Sequence, residues 1–121
     1  MATHDAGGAS RSDVDVVLAC LAGYRAQDRA AVERLTADDF VFTSPQDDHI
    51  GKEEFFRRCF PTAGRFVEQR VLHAVPAGPG TVFLAYEYVL RDGERYRNVE
   101  LSTVRDGRIT ETQVYFGGRF S

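Results

Sequence analysis

Apolar residues recur at spacings of three and four over Val14, Val17, Leu18, Leu21 and Tyr24, the pattern of a helix with one buried face. Ser12 is placed to cap that helix. Asp13 and Asp15 fall in its first turn, where carboxylates complement the helix dipole. The polar, Gly/Ala-rich stretch before it predicts a flexible leader over residues 1–12. A second short helix is expected from Asp28 to Leu35, with Ala31, Val32 and Leu35 as its apolar stripe. Ala37-Asp38-Asp39 has the composition of a turn. Phe40-Val41-Phe42-Thr43 is rich in strand formers, and Pro45 stops it. Gln46 to Gly51 is a polar loop. A third helix opens at Gly51-Lys52-Glu53-Glu54, carries Phe55, Phe56, Cys59 and Phe60 on its apolar side, and ends at Pro61.

Four strands account for the remainder, running about Phe66 to Val75, Thr81 to Leu90, Arg95 to Val104 and Arg108 to Phe116. Their connectors are Pro76 to Gly80, Asp92-Gly93 and Asp106-Gly107, and Asp-Gly between β-rich runs marks a hairpin. No internal repeat or linker interrupts residues 13–121, so one domain is expected there. Helices grouped against a meander define an α+β domain. The expected architecture is a cone-shaped roll: a curved antiparallel or mixed β-sheet wrapped around three helices from the N-terminal half. Such a roll encloses a pocket, and small ligands bind in pockets.

Composition narrows the function classes. Fifteen basic against eighteen acidic side chains give a net charge of −3, which argues against nucleic acid or an anionic membrane as partner. No apolar run reaches the roughly 18–20 residues of a membrane span. Cys20 and Cys59 are too few for a disulfide framework or a zinc site. With no export signal evident, both are expected as reduced thiols in a cytoplasmic protein. No GxGxxG, P-loop, HExxH or GxSxG motif occurs, so neither a cofactor nor a metal is expected.

Strand alternation nominates a site. A two-residue turn at Asp92-Gly93 sets Glu87 opposite Asn98 and Ala85 opposite Glu100. Glu87, Val89, Tyr96, Asn98, Glu100 and Ser102 then share one face, and Tyr86, Tyr88, Leu90, Val99 and Leu101 the other. If the first face lines the pocket, two carboxylates lie close together under apolar walls and cannot both ionise at neutral pH, leaving one as an acid or base. Glu100, Asn98 and Glu87 are thus the candidate catalytic residues, with Arg70 and Arg97 either counter-ions of Glu87 or Glu100 or surface residues. The tyrosine face would be outermost and would form a homodimer interface. In the alternative, the tyrosine face lies beneath the helices and the polar face is solvated.

The element order resembles that of the nuclear-transport-factor-two-like superfamily, closest to its SnoaL-like and ketosteroid-isomerase-like branch. The residues carrying the resemblance are Leu35 to Phe40, Ser44-Pro45, Gly51-Lys52-Glu53, Val104 to Ile109 and Tyr115-Phe116. It covers about Val14 to Phe116. It implies the roll with its pocket, and no single activity, because this fold hosts isomerases, cyclases, hydrolases and binders. The isomerases' general-base Asp corresponds to Ser44, a helix-one Tyr to Cys20, a helix-three Tyr to Cys59, and a protonated oxyanion-hole Asp to Glu100 or a neighbour. One of four roles survives in kind, so classical ketosteroid isomerase activity is not expected. The cyclases' late Asp falls at Gly117, which also counts against polyketide cyclisation.

The loop from Pro45 to Ile50 is a second candidate. His49 beside Asp47 and Asp48 is either an acid/base pair or weak metal site, or part of a solvated turn capping the third helix. His73, mid-strand, is expected to be structural. Ser44, Phe42, His49, Phe56, Cys59, Cys20, Tyr96 and Phe116 are the candidate binding residues. The expected function is binding of a small apolar molecule, with cofactor-independent isomerase, cyclase or dehydratase chemistry at a buried acid. A non-catalytic binding or dimerisation module is the alternative.

Overall fold

The computed structural model describes residues 5–120, with side chains from Asp13 onward. Helix α1 spans Asp5–Ala26 and α2 spans Arg29–Leu35. Strand β1 (Thr36–Thr43) and the two-residue β2 (Ile50–Gly51) precede helix α3 (Lys52–Arg58) and a 3-10 helix, Phe60–Arg65. Four long strands follow: β3 (Phe66–Pro76), β4 (Thr81–Leu90), β5 (Arg95–Arg105) and β6 (Arg108–Phe120). They form one curved sheet in the order β2-β1-β6-β5-β4-β3. The β1–β6 pair is parallel and every other pair antiparallel. Three helices over a six-stranded mixed sheet make the expected α+β roll.

The core lies where α1, α2 and α3 meet the concave face of the sheet. Val17 and Leu21 from α1, Val32 from α2 and Phe55 and Phe56 from α3 pack there with Phe40, Leu84 and Ile109. Asp28 caps α2, its side chain accepting from the Ala31 N–H at 3.2 Å. At the other end of α2, the Lys52 ammonium donates to the Glu33 and Thr36 carbonyls, both at 2.9 Å. The chain's single lysine therefore ties α3 to the carbonyl end of α2.

Several local expectations change. Helix α1 begins upstream of Asp13, so Ser12 lies within it. Residues 1–4 of the expected leader fall outside the described residues. Ala37-Asp38-Asp39 belongs to β1: the ladder to β6 shifts between Thr36 and Val41, and this irregularity absorbs the turn-like residues. The end of the Gln46–Gly51 loop pairs with β1 as β2. Helix α3 ends at Arg58, and Pro61 sits in the first turn of the 3-10 helix, where a missing N–H costs nothing.

The decisive correction concerns the β4–β5 hairpin. Leu90 donates to the Glu94 carbonyl at 3.0 Å and Gly93 to the Leu90 carbonyl at 2.9 Å. The loop is thus three residues, Arg91-Asp92-Gly93, with Gly93 left-handed at φ 88°. Glu87 pairs with Arg97, Tyr86 with Asn98 and Leu84 with Glu100. One extra loop residue moves the whole of β4 to the opposite face relative to β5.

Candidate functional site

Between the concave sheet face and the helices lies a cavity of about 430 Å³, within the usual range for small-molecule sites. Aromatic rings come to its walls from several elements: Tyr24 on α1, Phe40 and Phe42 on β1, Phe55 on α3, Phe66 on β3 and Tyr88 on β4. The corrected register puts Tyr86 and Tyr88 on the same face as Tyr96, Asn98, Glu100 and Ser102. The tyrosine face and the polar face of the sequence analysis therefore combine, each contributing one strand.

Deep in the cavity, the Tyr86 hydroxyl donates to Glu100 Oε2 at 2.6 Å, and Asn98 Nδ2 donates to the Tyr86 oxygen at 3.4 Å. Asn98 Oδ1 is buried without a hydrogen-bond partner. Burial raises the Glu100 pKa above glutamate's ordinary 4.5, and the Tyr86 hydrogen bond opposes the rise. Among the described residues no cation pairs with this carboxylate. Tyr86 is pushed well above its ordinary value by burial and then by the Glu100 charge, so it remains a hydroxyl and a donor. Burial, reinforced by Glu100, pushes the Cys20 thiol up to about 12. A carboxyl with a raised pKa, facing the cavity and hydrogen-bonded to a phenol, has the chemistry of a general acid or base.

A second polar group stands where β1 leads into the following loop. Ser44 and Asp47 close a tight turn: Ser44 N–H donates to the Asp47 carbonyl at 2.7 Å, and Asp47 N–H to the Ser44 carbonyl at 3.2 Å. The turn points the Asp47 carboxylate inward, where its side chain is 9% exposed. Arg58 lies 2.8 Å from Oδ1, and Ser44 Oγ (3.3 Å) and Cys59 Sγ (3.4 Å) donate to Oδ2. Burial first, then the Asp47 charge, pushes the Cys59 thiol up to about 12. The Tyr24 hydroxyl bonds to the Cys59 carbonyl at 3.2 Å and the Thr62 hydroxyl at 3.0 Å, fixing α1 against the 3-10 helix.

The nominated residues divide clearly. Glu100, Asn98, Ser44, Phe42, Cys59, Cys20, Tyr96 and Phe116 all line the cavity. Glu87 does not. The three-residue loop turns it to the convex face, where Arg97 Nε donates at 3.0 Å and Arg70 lies 3.8 Å away. The expected pair of pocket carboxylates on β4 and β5 is therefore absent, and Arg70 and Arg97 are counter-ions of Glu87. Tyr86 and Tyr88 correspondingly leave the outer face. His49 points away, with φ 52° and Nδ1 2.6 Å from Asp48, and its side chain is mostly exposed. Adjacent loop residues point in different directions, so Asp47 enters the cavity while Asp48 and His49 do not. Phe56 is core, packed on Phe55 and Phe60 with the Arg29 guanidinium 4.6 Å over its ring.

Sequence reasoning missed Tyr86, Tyr88 and Asp47 as cavity residues. The Ser44-x-x-Asp47 spacing was the available signal for a turn closing on itself. The tyrosines depended on the hairpin register, which the Asp-Gly dipeptide leaves open between two- and three-residue loops.

The fold is widely shared. A protein from Kribbella flavida DSM 17836 superposes with a TM-score of 0.76 at 27% identity, covering 85% of this chain and 84% of that one. An NTF-2 like protein of unknown function from Burkholderia xenovorans LB400 gives 0.78 at 18% identity, covering 93% and 88%. An M. tuberculosis LEH-like epoxide hydrolase gives 0.69 at 21% identity, covering 88% and 84%. A search of curated proteins finds no match. The SnoaL-like domain model matches residues 17–112, most of the chain. With its three helices and six-stranded mixed sheet, the chain belongs to the SnoaL-like domain family.

Proposed function

We propose that this protein binds a small, largely apolar molecule in the cavity and transfers a proton on it without a cofactor, with Glu100 as the acid/base. The carrying observation is the Glu100 carboxyl: raised in pKa by burial, free of any cationic partner among the described residues, and bonded to the Tyr86 hydroxyl at 2.6 Å. In its neutral form Glu100 protonates a carbonyl or leaving oxygen, and after that step its carboxylate recovers a proton from the product. Isomerisation, dehydration and cyclisation need no more than this. That a hydrolase from M. tuberculosis shares the fold supports catalytic use of such a cavity, and its substrate is its own.

The test is a thermal-shift screen of wild type and Glu100→Gln against small apolar compounds bearing carbonyl or hydroxyl groups. A ligand at a hundred times its dissociation constant adds about 2.7 kcal/mol, a clear rise in melting temperature for a domain of this size. The proposal expects binding to survive the substitution and turnover of the bound compound to vanish. Turnover that persists in the variant removes Glu100 from the chemistry. Binding without turnover in wild type favours a non-catalytic carrier.

We further propose a homodimer through the convex sheet face, which presents Val75, Phe83, Val99, Leu101 and Tyr115 beside the Glu87 ion cluster. Val75 and Tyr115 are about half exposed, a cost that a partner surface removes. A monomer by sedimentation equilibrium contradicts this. The two free thiols suit a reducing, cytoplasmic setting. Among the described residues, no helix is long and apolar enough to cross a membrane.

A further inference from the structure

Four aromatic rings form a row across the concave face, one from each of four adjacent strands. Phe66 on β3 stacks on Tyr88 of β4 (centroids 4.6 Å, 24° between planes). Tyr88 stacks on Tyr96 of β5 (5.5 Å, 22°), and Tyr96 meets Phe116 of β6 (5.7 Å, 38°). All four line the cavity. Rings stacked in this way present their faces to one another along the row, so only an end ring has a face to offer.

Phe116 is the end that stays open. The next strand, β1, could have supplied a fifth ring, but its pairing with β6 stops at Thr43–Gln113, before Phe116. The chain turns away there through Ser44 to Asp47, and both Phe116 and this turn face the cavity. No further aromatic ring partners Phe116 among the described residues, and the side chain is 53% exposed. Phe116 is the last ladder residue before a backbone irregularity. The β5–β6 ladder shifts between Arg97 and Asn98, and Gly117 passes so near the Arg97 carbonyl that a Cβ there would lie 2.5 Å from the oxygen. Phe116 itself stays in the regular register, opposite Asn98 and beside the Glu100–Tyr86–Asn98 group, and the irregularity follows it at Gly117.

We propose that Phe116 is a specificity-determining residue: a planar, conjugated ring of the ligand stacks on its free face, between Phe116 and the Ser44–Asp47 turn, as the next ring of the row. This rests on the small-molecule reading above and names the chemical class that the cavity prefers. Planarity is the criterion, because a saturated ring of equal size fills the space but has no π-face to stack.

The experiment compares 2-naphthol with decahydro-2-naphthol, matched in skeleton and hydroxyl, by calorimetry on wild type, Phe116→Leu and Phe116→Trp. Wild type is expected to favour the planar compound about 2- to 12-fold, the worth of one aromatic pair. Naphthol protons should shift upfield on binding. Phe116→Leu is expected to lose both the preference and the upfield shift, and Phe116→Trp to keep them. Melting temperatures confirm that each variant is folded, as a half-exposed position permits. Equal affinity for the two compounds in wild type overturns the inference and leaves the pocket proposal standing. A preference that survives Phe116→Leu also overturns it. A loss of assembly mass in Phe116→Leu with unchanged ligand preference assigns the ring to a contact between copies instead. If neither compound binds wild type, the small-molecule reading fails and the inference falls with it.

Discussion

The Tyr86 hydroxyl lies 2.6 Å from Glu100 Oε2, across a strand pair that places the two residues diagonally on one face. This single bond opposes the burial that raises the Glu100 pKa. Replacing Tyr86 by Phe removes the donor and leaves the burial, so the Glu100 pKa should rise further. Carboxyl-carbon NMR of wild type and Tyr86→Phe tests this, and a titration that moves down in the variant contradicts the assignment of the bond.

Glu100 also makes stability depend on pH. Its folded pKa is above its unfolded value, so the folded state holds the proton more tightly than the unfolded chain. Below the unfolded value both states are protonated and Glu100 contributes no pH dependence. As pH rises through the unfolded value the unfolded chain ionises first, and stability falls until pH passes the folded pKa. Glu100→Gln lacks this loss. The melting-temperature difference, variant minus wild type, should therefore grow from about pH 4 upward and then level off. A flat difference from pH 3 to 8 would count against a raised pKa.

Both thiols are held in the protonated form by burial, Cys20 near Glu100 and Cys59 against Asp47. Thiolate is the reactive species. Native protein at pH 8 should therefore react slowly with Ellman's reagent, while denatured protein releases two equivalents quickly. Fast labelling of both cysteines without denaturant would show that the cavity opens far more than its packing indicates.

Gly117→Ala should destabilise the fold. A Cβ 2.5 Å from the Arg97 carbonyl oxygen meets the β5 backbone, which cannot yield by a rotamer change. The cost is about 2 kcal/mol, typical of overpacking, and urea unfolding measures it.

Lys52→Met removes the donor shared by the Glu33 and Thr36 carbonyls and leaves the chain end of α2 without its cation. A loss of about 1–2 kcal/mol is expected in chemical denaturation. Lys52→Arg should recover part of it, since a guanidinium still reaches carbonyl oxygens.

The element order, the α+β roll and most of the wall are legible in the residue pattern alone. Phe40, Phe42 and Phe55 sit in patterns that only a buried face explains, and turn residues separate the four long strands at nearly the observed positions. It also marked Glu100 and Asn98, because alternation along one strand is a local property. What joins them was settled elsewhere. Whether Glu87 or Tyr86 stands beside Glu100 depends on one residue in the Arg91–Gly93 loop, where Asp-Gly is compatible with both lengths. The three-residue form prevails here with Leu84 and Tyr86 buried under the helices and Glu87 between two exterior arginines. Likewise, the inward Asp47 and outward His49 follow from how one tight turn docks on α3. Periodicity reports which residues share a face, whereas register and docking are decided by burial summed over the whole sheet, and only the tertiary structure carries that sum.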